Sequence, residues 1–157
     1  LGPDLFSLQG LFNLGPALRG WRESWCELQA KNPDPQLDLP SGRIAPAGYV
    51  VMQHGMRENR PPKAYQRWID KFPSTYRRAM QGEQQDPRMA AADDPECLAM
   101  LKHYRSLVPM AMEARKPVFM LKPADGAIGA HGDAVRRAFE DFKALAAAVE
   151  RRTTQPV

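Results

Sequence analysis

Cysteine is scarce: Cys26 and Cys97 are the only two in 157 residues, and no CxxC joins them. That argues against a disulfide framework and makes a reducing cytoplasm the default compartment. His54, His103 and His131 lie far apart, with no HExxH and no cysteine at ligand spacing, so no metal site is expected. No apolar run approaches the roughly 20 residues that cross a bilayer. A basic-then-apolar leader is missing as well. Neither GxxxxGK[ST] nor GxGxxG occurs, nor a GxSxG nucleophile elbow. A chain without these carries no complete catalytic motif of its own, and no catalytic residue is assigned.

What is present describes an ordinary globular protein. The composition is 43% hydrophobic and 25% charged, and the length fits one domain with a modest core. A formal charge of +4 favours weak association with nucleic acid or anionic surfaces. The chain opens at Leu1 rather than Met, which suggests upstream sequence.

Periodicity orders the chain. Ser7 reads as an N-cap, and Leu11, Leu14, Leu18, Trp21, Trp25 and Leu28 fall on one stripe of a helix reaching about Ala30. Gly15-Pro16 should kink or break it. Residues 32–47 hold four prolines and no period, hence a loop. Residues 48–53, apolar and β-branched, read as a short buried strand. Pro61-Pro62 opens a helix with Tyr65, Trp68, Ile69, Phe72, Tyr76 and Met80 on its apolar side and a bend at Pro73. A polar loop covers 82–93. Asp94-Pro95-Glu96 then has the form of a helix start, with Leu98, Leu101, Tyr104 and Val108 inward and a short continuation to Arg115. Residues 118–121 are a second strand candidate. Asp133 caps a last helix with Val135, Phe139, Phe142, Leu145 and Val149 inward, and the tail from Thr153 should fray.

Two strands joined by a long helical crossover suggest a parallel pair in a helix-rich α/β domain spanning 1–152, followed by a tail at 153–157. Two strands alone make a poor sheet, so the domain reads as part of a larger one.

Three sets of residues are candidates for function. The polar end of the first strand supplies Gln53, His54 and Arg57, where α/β sheets place ligands. The loop from Lys122 to Gly132 places Lys122, Asp125 and Gly126 before a helix N-terminus, a position suited to a nucleotide or another anion. The basic helix of 62–80 carries Lys63, Arg67, Lys71, Arg77 and Arg78, a face suited to nucleic acid or a protein partner. An autonomous enzyme built on His54, Arg57 and Asp125 would need both strand candidates side by side, and no base–nucleophile pair is evident.

Several segments together resemble the second half of ParA/MinD-type (deviant Walker A) P-loop ATPases. Leu1-Gly2-Pro3-Asp4-Leu5-Phe6-Ser7-Leu8-Gln9-Gly10-Leu11 is similar to the family's proline-containing strand end that runs into a helix. Tyr49-Val50-Val51-Met52 resembles the strand that finishes near the adenine, with Gln53 or His54 where the family often has Asn. Glu113-Ala114-Arg115-Lys116-Pro117-Val118 resembles a further stretch, with Arg115 at the family's glycine, and Phe139 to Val149 resembles its closing helix.

The resemblance implies a P-loop-NTPase-like, parallel-sheet fold and an ATPase that partitions or positions DNA or a protein cargo in the cytoplasm. The phosphate-binding loop would lie upstream of Leu1, so ATP and Mg2+ would be cofactors of the intact parent only. The implied partners are the missing N-terminal half or a homodimer partner, and non-specific DNA. The alternative is a stand-alone basic binding module.

Overall fold

In a computed structural model of the chain, the described residues are 1–34, 36–54, 63–82 and 89–154. They are helix-rich with a small two-stranded parallel sheet, compatible with the α/β class.

Helix α1 spans Leu5–Ala30 without interruption. Asp4, not Ser7, caps it: Asp4 Oδ1 accepts the Ser7 N–H at 2.8 Å, and Ser7 Oγ accepts the Gly2 N–H at 2.9 Å. The expected break is absent, and Pro16 sits on the exposed side of the unbroken helix. Gly15 is buried where α1 crosses the π-helical turn Arg77–Gln81. A Cβ there would lie 2.1 Å from the Ala79 carbonyl oxygen. The helix buries Leu8, Leu11 and Gly15 only, while Leu14, Trp21 and Leu28 face outward. Of the Leu–Trp stripe, Leu11 alone belongs to the main core. The C-terminal half of the helix meets the loop instead, through Trp25 Nε1 and Gln29 Nε2, both donating to the Pro40 carbonyl.

Strand β1, Tyr49–His54, falls where the apolar run predicts a strand. Its parallel partner β2 is Cys97–Lys102, and the last pair in register is His54 with Lys102. Two expectations fail here. Asp94-Pro95-Glu96 starts a strand rather than a helix, and 118–121 forms no strand but a 3-10 turn, Val118–Met120. Cys97, expected near a helix start, opens β2.

The expected basic helix of 62–80 is three pieces: α2 (Lys63–Ile69), α3 (Phe72–Tyr76, Pro73 near its start) and the π-helical turn. Tyr49, Val51, Ile69, Phe72, Tyr76 and Ala79 pack with Leu8 and Leu11 of α1 into the main core. Tyr49 meets Phe72 edge-on at 6.1 Å and Tyr76 at 5.2 Å, packing suited to aromatic quadrupoles.

Helix α4 (Leu107–Ala114) and helix α5 (Ala130–Thr154) enclose a second cluster of Leu107, Ala111, Leu121, Ala127 and Val135. The inward set of α5 differs from its expected one. Ala138 and Ala148 are buried, whereas Phe139 and Val149 are exposed. The helix begins at Ala130, ahead of Asp133, and continues past Thr153 to Thr154.

Helix α5 runs back along β2. Arg152 reaches the Pro95 carbonyl and lies 3.5 Å from Glu96, before the strand, and Asp141 reaches Lys102 at its end. Eleven helical residues rise about 16 Å, close to the roughly 20 Å covered by six extended ones. The stretch of α5 between Asp141 and Arg152 is therefore long enough to reach both ends of β2.

Candidate functional site

A parallel strand pair brings its carboxyl ends to one edge, and that edge is where the open cleft lies. Lys102, His103, Tyr104, Arg105, Ser106 and Leu107 leave β2 and enter α4, while Ala134 and Arg137 close the opposite wall from α5. The cleft encloses about 350 Å³. Its walls bring Lys102, His103, Arg105 and Arg137 together around one opening, with the Ser106 hydroxyl among them.

One carboxylate tempers this charge. Asp141 Oδ2 accepts the Tyr104 hydroxyl at 2.6 Å and lies 3.3 Å from Lys102 Nζ, and Lys102 also sits 5.8 Å from the centre of the Tyr104 ring. Burial, then the Asp141 hydrogen bond, raises the Tyr104 hydroxyl well above its ordinary range, so Tyr104 stays neutral and serves as a fixed wall. Arg105 is exposed, as is Arg137. Such an arrangement suits an anionic ligand of modest size. Its donors are cationic and do not suit Mg2+, and no group of three or more His, Cys, Asp or Glu that could hold a metal occurs among the described residues.

The sequence candidates fare unevenly. Gln53 and His54 end β1, and the pairing of His54 with Lys102 brings that strand end alongside the cleft. Arg57 lies outside the described residues. Lys122, Asp125 and Gly126 do not line the cleft. Pro123–Asp125 is a 3-10 turn closed by Gly126 in the left-handed region at φ 89°, which glycine adopts without cost.

Asp125 is held by Lys116 Nζ at 2.7 and 2.8 Å and by the Lys122 N–H at 2.9 Å. The Lys116 hydrogen bonds, then that of Lys122, depress its carboxyl below the ordinary carboxylate value. The amides of Gly126, Ala127, Ile128 and His131 all donate to carbonyls within 122–128. Those four amides are already bonded within the turn and are not available to cradle an anion.

The basic face also changes. Lys63, Arg67, Lys71 and Arg78 are exposed, and Trp68 has Arg67 and Lys71 each 5.0 Å from a ring centre. Arg77 turns inward instead and binds Asp94 through both terminal nitrogens, at 3.0 and 2.5 Å. Its role is structural and it leaves the outward set.

Lys102, Arg105 and Arg137 are not singled out in the sequence, and Tyr104 enters there only as an inward helix residue. Lys102 to Arg105 reads as helix if Asp94 caps one, and strand-end geometry appears only once 97–102 is seen as a strand.

Set beside known proteins, the chain matches no family model, and no curated protein or solved structure matches it significantly. No described helix is long and apolar enough to cross a membrane.

Proposed function

We propose that this chain is the C-terminal portion of a ParA-like ATPase that partitions or positions DNA or a protein cargo, and that its cationic cleft contributes one wall of the nucleotide site. The observation that carries this reading is that Lys102 and Arg105, at the carboxyl end of a parallel strand pair, share one cleft with Arg137 of α5. In open α/β sheets that edge is the usual ligand position, and Arg and Lys are the natural partners of phosphate oxygens. A P-loop-NTPase-like fold is the parent architecture into which such a wall would fit. In this reading Arg105 and Arg137 hold the ligand electrostatically, Tyr104 orients it, and Ser106 donates a hydrogen bond. ATP and Mg2+ belong to the intact parent. The Gly-Lys phosphate loop that would polarise a γ-phosphate lies outside these residues, so the chain alone binds weakly and does not hydrolyse ATP.

Titration of the 15N-labelled chain with millimolar ADP tests this. Shifts should gather at Lys102–Leu107, Ala134 and Arg137, and Arg105→Glu with Arg137→Glu should abolish them. Shifts confined to other regions, or none at saturating nucleotide, would overturn the assignment.

A second reading, a basic module for nucleic acid, is favoured by the Arg67–Trp68–Lys71 stack, which pairs an aromatic surface with two cations beside Lys63 and Arg78. It loses Arg77 to the interior.

A further inference from the structure

The donors of the cleft divide into those already engaged and those left free. Lys102 is engaged by Asp141 at 3.3 Å, and the charge of Asp141 opposes an anion at that end. The Leu107 and Val108 amides both donate to the Tyr104 carbonyl, and Pro109 has no N–H, so these first positions of α4 add no free backbone donor. Among the described residues, Arg105 and Arg137 have no ion-pair or hydrogen-bond partner, and the Ser106 hydroxyl caps nothing at the start of α4. The two free guanidiniums come from separate elements, the connection between β2 and α4 and helix α5. A planar carboxylate is matched by one guanidinium fork. A phosphate spreads its oxygens around a tetrahedron and takes two forks and a hydroxyl.

A base needs other partners: a flat face to stack on and groups that bond its edge. The Tyr104 ring already has Phe142 at 6.2 Å and Lys102 at 5.8 Å, and its hydroxyl is spent on Asp141. Among the described side chains that line the cleft there is no Asn or Gln, and His103 is exposed, so a base laid on it would stay wet. The cleft's volume of about 350 Å³ is also near the small end of ligand pockets, which run from about 300 to 1,000 Å³. We infer that the cleft grips the phosphate end of its ligand through Arg105, Ser106 and Arg137 and leaves the base outside, so that inorganic pyrophosphate is as good a ligand as ADP. This inference rests on the nucleotide reading and narrows it, from a wall of the nucleotide site to a phosphate grip indifferent to the base.

The test titrates the 15N-labelled full chain separately with ADP, sodium pyrophosphate and adenosine, at one ionic strength and without divalent cations. ADP and pyrophosphate should shift the Arg105, Ser106 and Arg137 amides with dissociation constants within about threefold of each other. Adenosine at the same concentration should shift none of them. Arg137→Gln should weaken pyrophosphate by about fivefold or more, in a chain whose spectrum is otherwise unchanged. Adenosine shifting these amides, or pyrophosphate binding far more weakly than ADP, would overturn the phosphate grip and leave the nucleotide reading standing. A response to pyrophosphate but not to ADP would keep the grip and overturn the nucleotide reading. Silence with all three would overturn both.

Discussion

Removing Asp94 should damage this fold more than removing any other carboxylate. Asp94 is 3% exposed and stands at the entrance to β2. It accepts the Tyr49 hydroxyl at 2.8 Å, two Arg77 nitrogens at 3.0 and 2.5 Å, and the Glu96 N–H at 3.0 Å. These bonds join β1, the π-helical turn and the start of β2 at one point. Breaking a buried ion pair by removing one partner costs about 3–5 kcal/mol. Arg77 keeps some access to water and a hydrogen bond to the Pro73 carbonyl, which favours the lower end. Asp94→Ala should therefore cost about 3 kcal/mol. For a domain of this size that corresponds to a fall in Tm of roughly 6–12 °C.

Acid should produce a related effect. Burial raises the Asp94 carboxyl, but the Arg77, Glu96 and Tyr49 hydrogen bonds outweigh burial and hold it below its ordinary value. A carboxyl depressed on folding contributes stability above its unfolded pKa, about 3.9, and loses it as pH falls through the lower folded value. Thermal melts from pH 7 to pH 2 should show an acid limb in the wild type that is smaller in Asp94→Asn. A loss below about 1 kcal/mol for Asp94→Ala would refute the reasoning, because it would mean that the carboxylate does not couple these three elements.

Gly15→Ala sets helix propensity against a close approach. Alanine is favoured over glycine by about 1 kcal/mol inside a helix, but its Cβ would meet the Ala79 carbonyl at 2.1 Å, so urea denaturation should report a net loss of about 1–3 kcal/mol. A stabilised variant would show that α1 shifts freely over the π-helical turn. For the basic face, Arg67→Glu, Lys71→Glu and Arg78→Glu together should abolish retention on duplex DNA at low salt, each lost phosphate contact removing about 0.9 from the log–log salt slope. An unchanged slope would discard the second reading.

How much was legible in the residues depended on whether a partner was needed to decide the answer. Strand β1 was legible because its valines are β-branched and apolar on both faces, a pattern that holds wherever the strand pairs. Strand β2 was not. Cys97-Leu98-Ala99-Met100-Leu101-Lys102 contains good helix formers, and Asp94-Pro95-Glu96 has the spacing of a helix start. What overrides this is tertiary: the Asp94 side chain bonds Arg77 and Tyr49 as well as the Glu96 N–H, and β1 offers a ladder that an isolated segment lacks.

Residues 118–121 show the converse. Their run is apolar, but Pro117 and Pro123 confine it to a turn whose Phe119 packs on Phe142 at 4.8 Å. The parallel pairing was read correctly with the wrong second strand, and that error hid the cleft. Lys102 to Arg105 become a ligand-facing strand end only when β2 ends at Lys102. A site built where two separate segments meet in register leaves no local spacing to find.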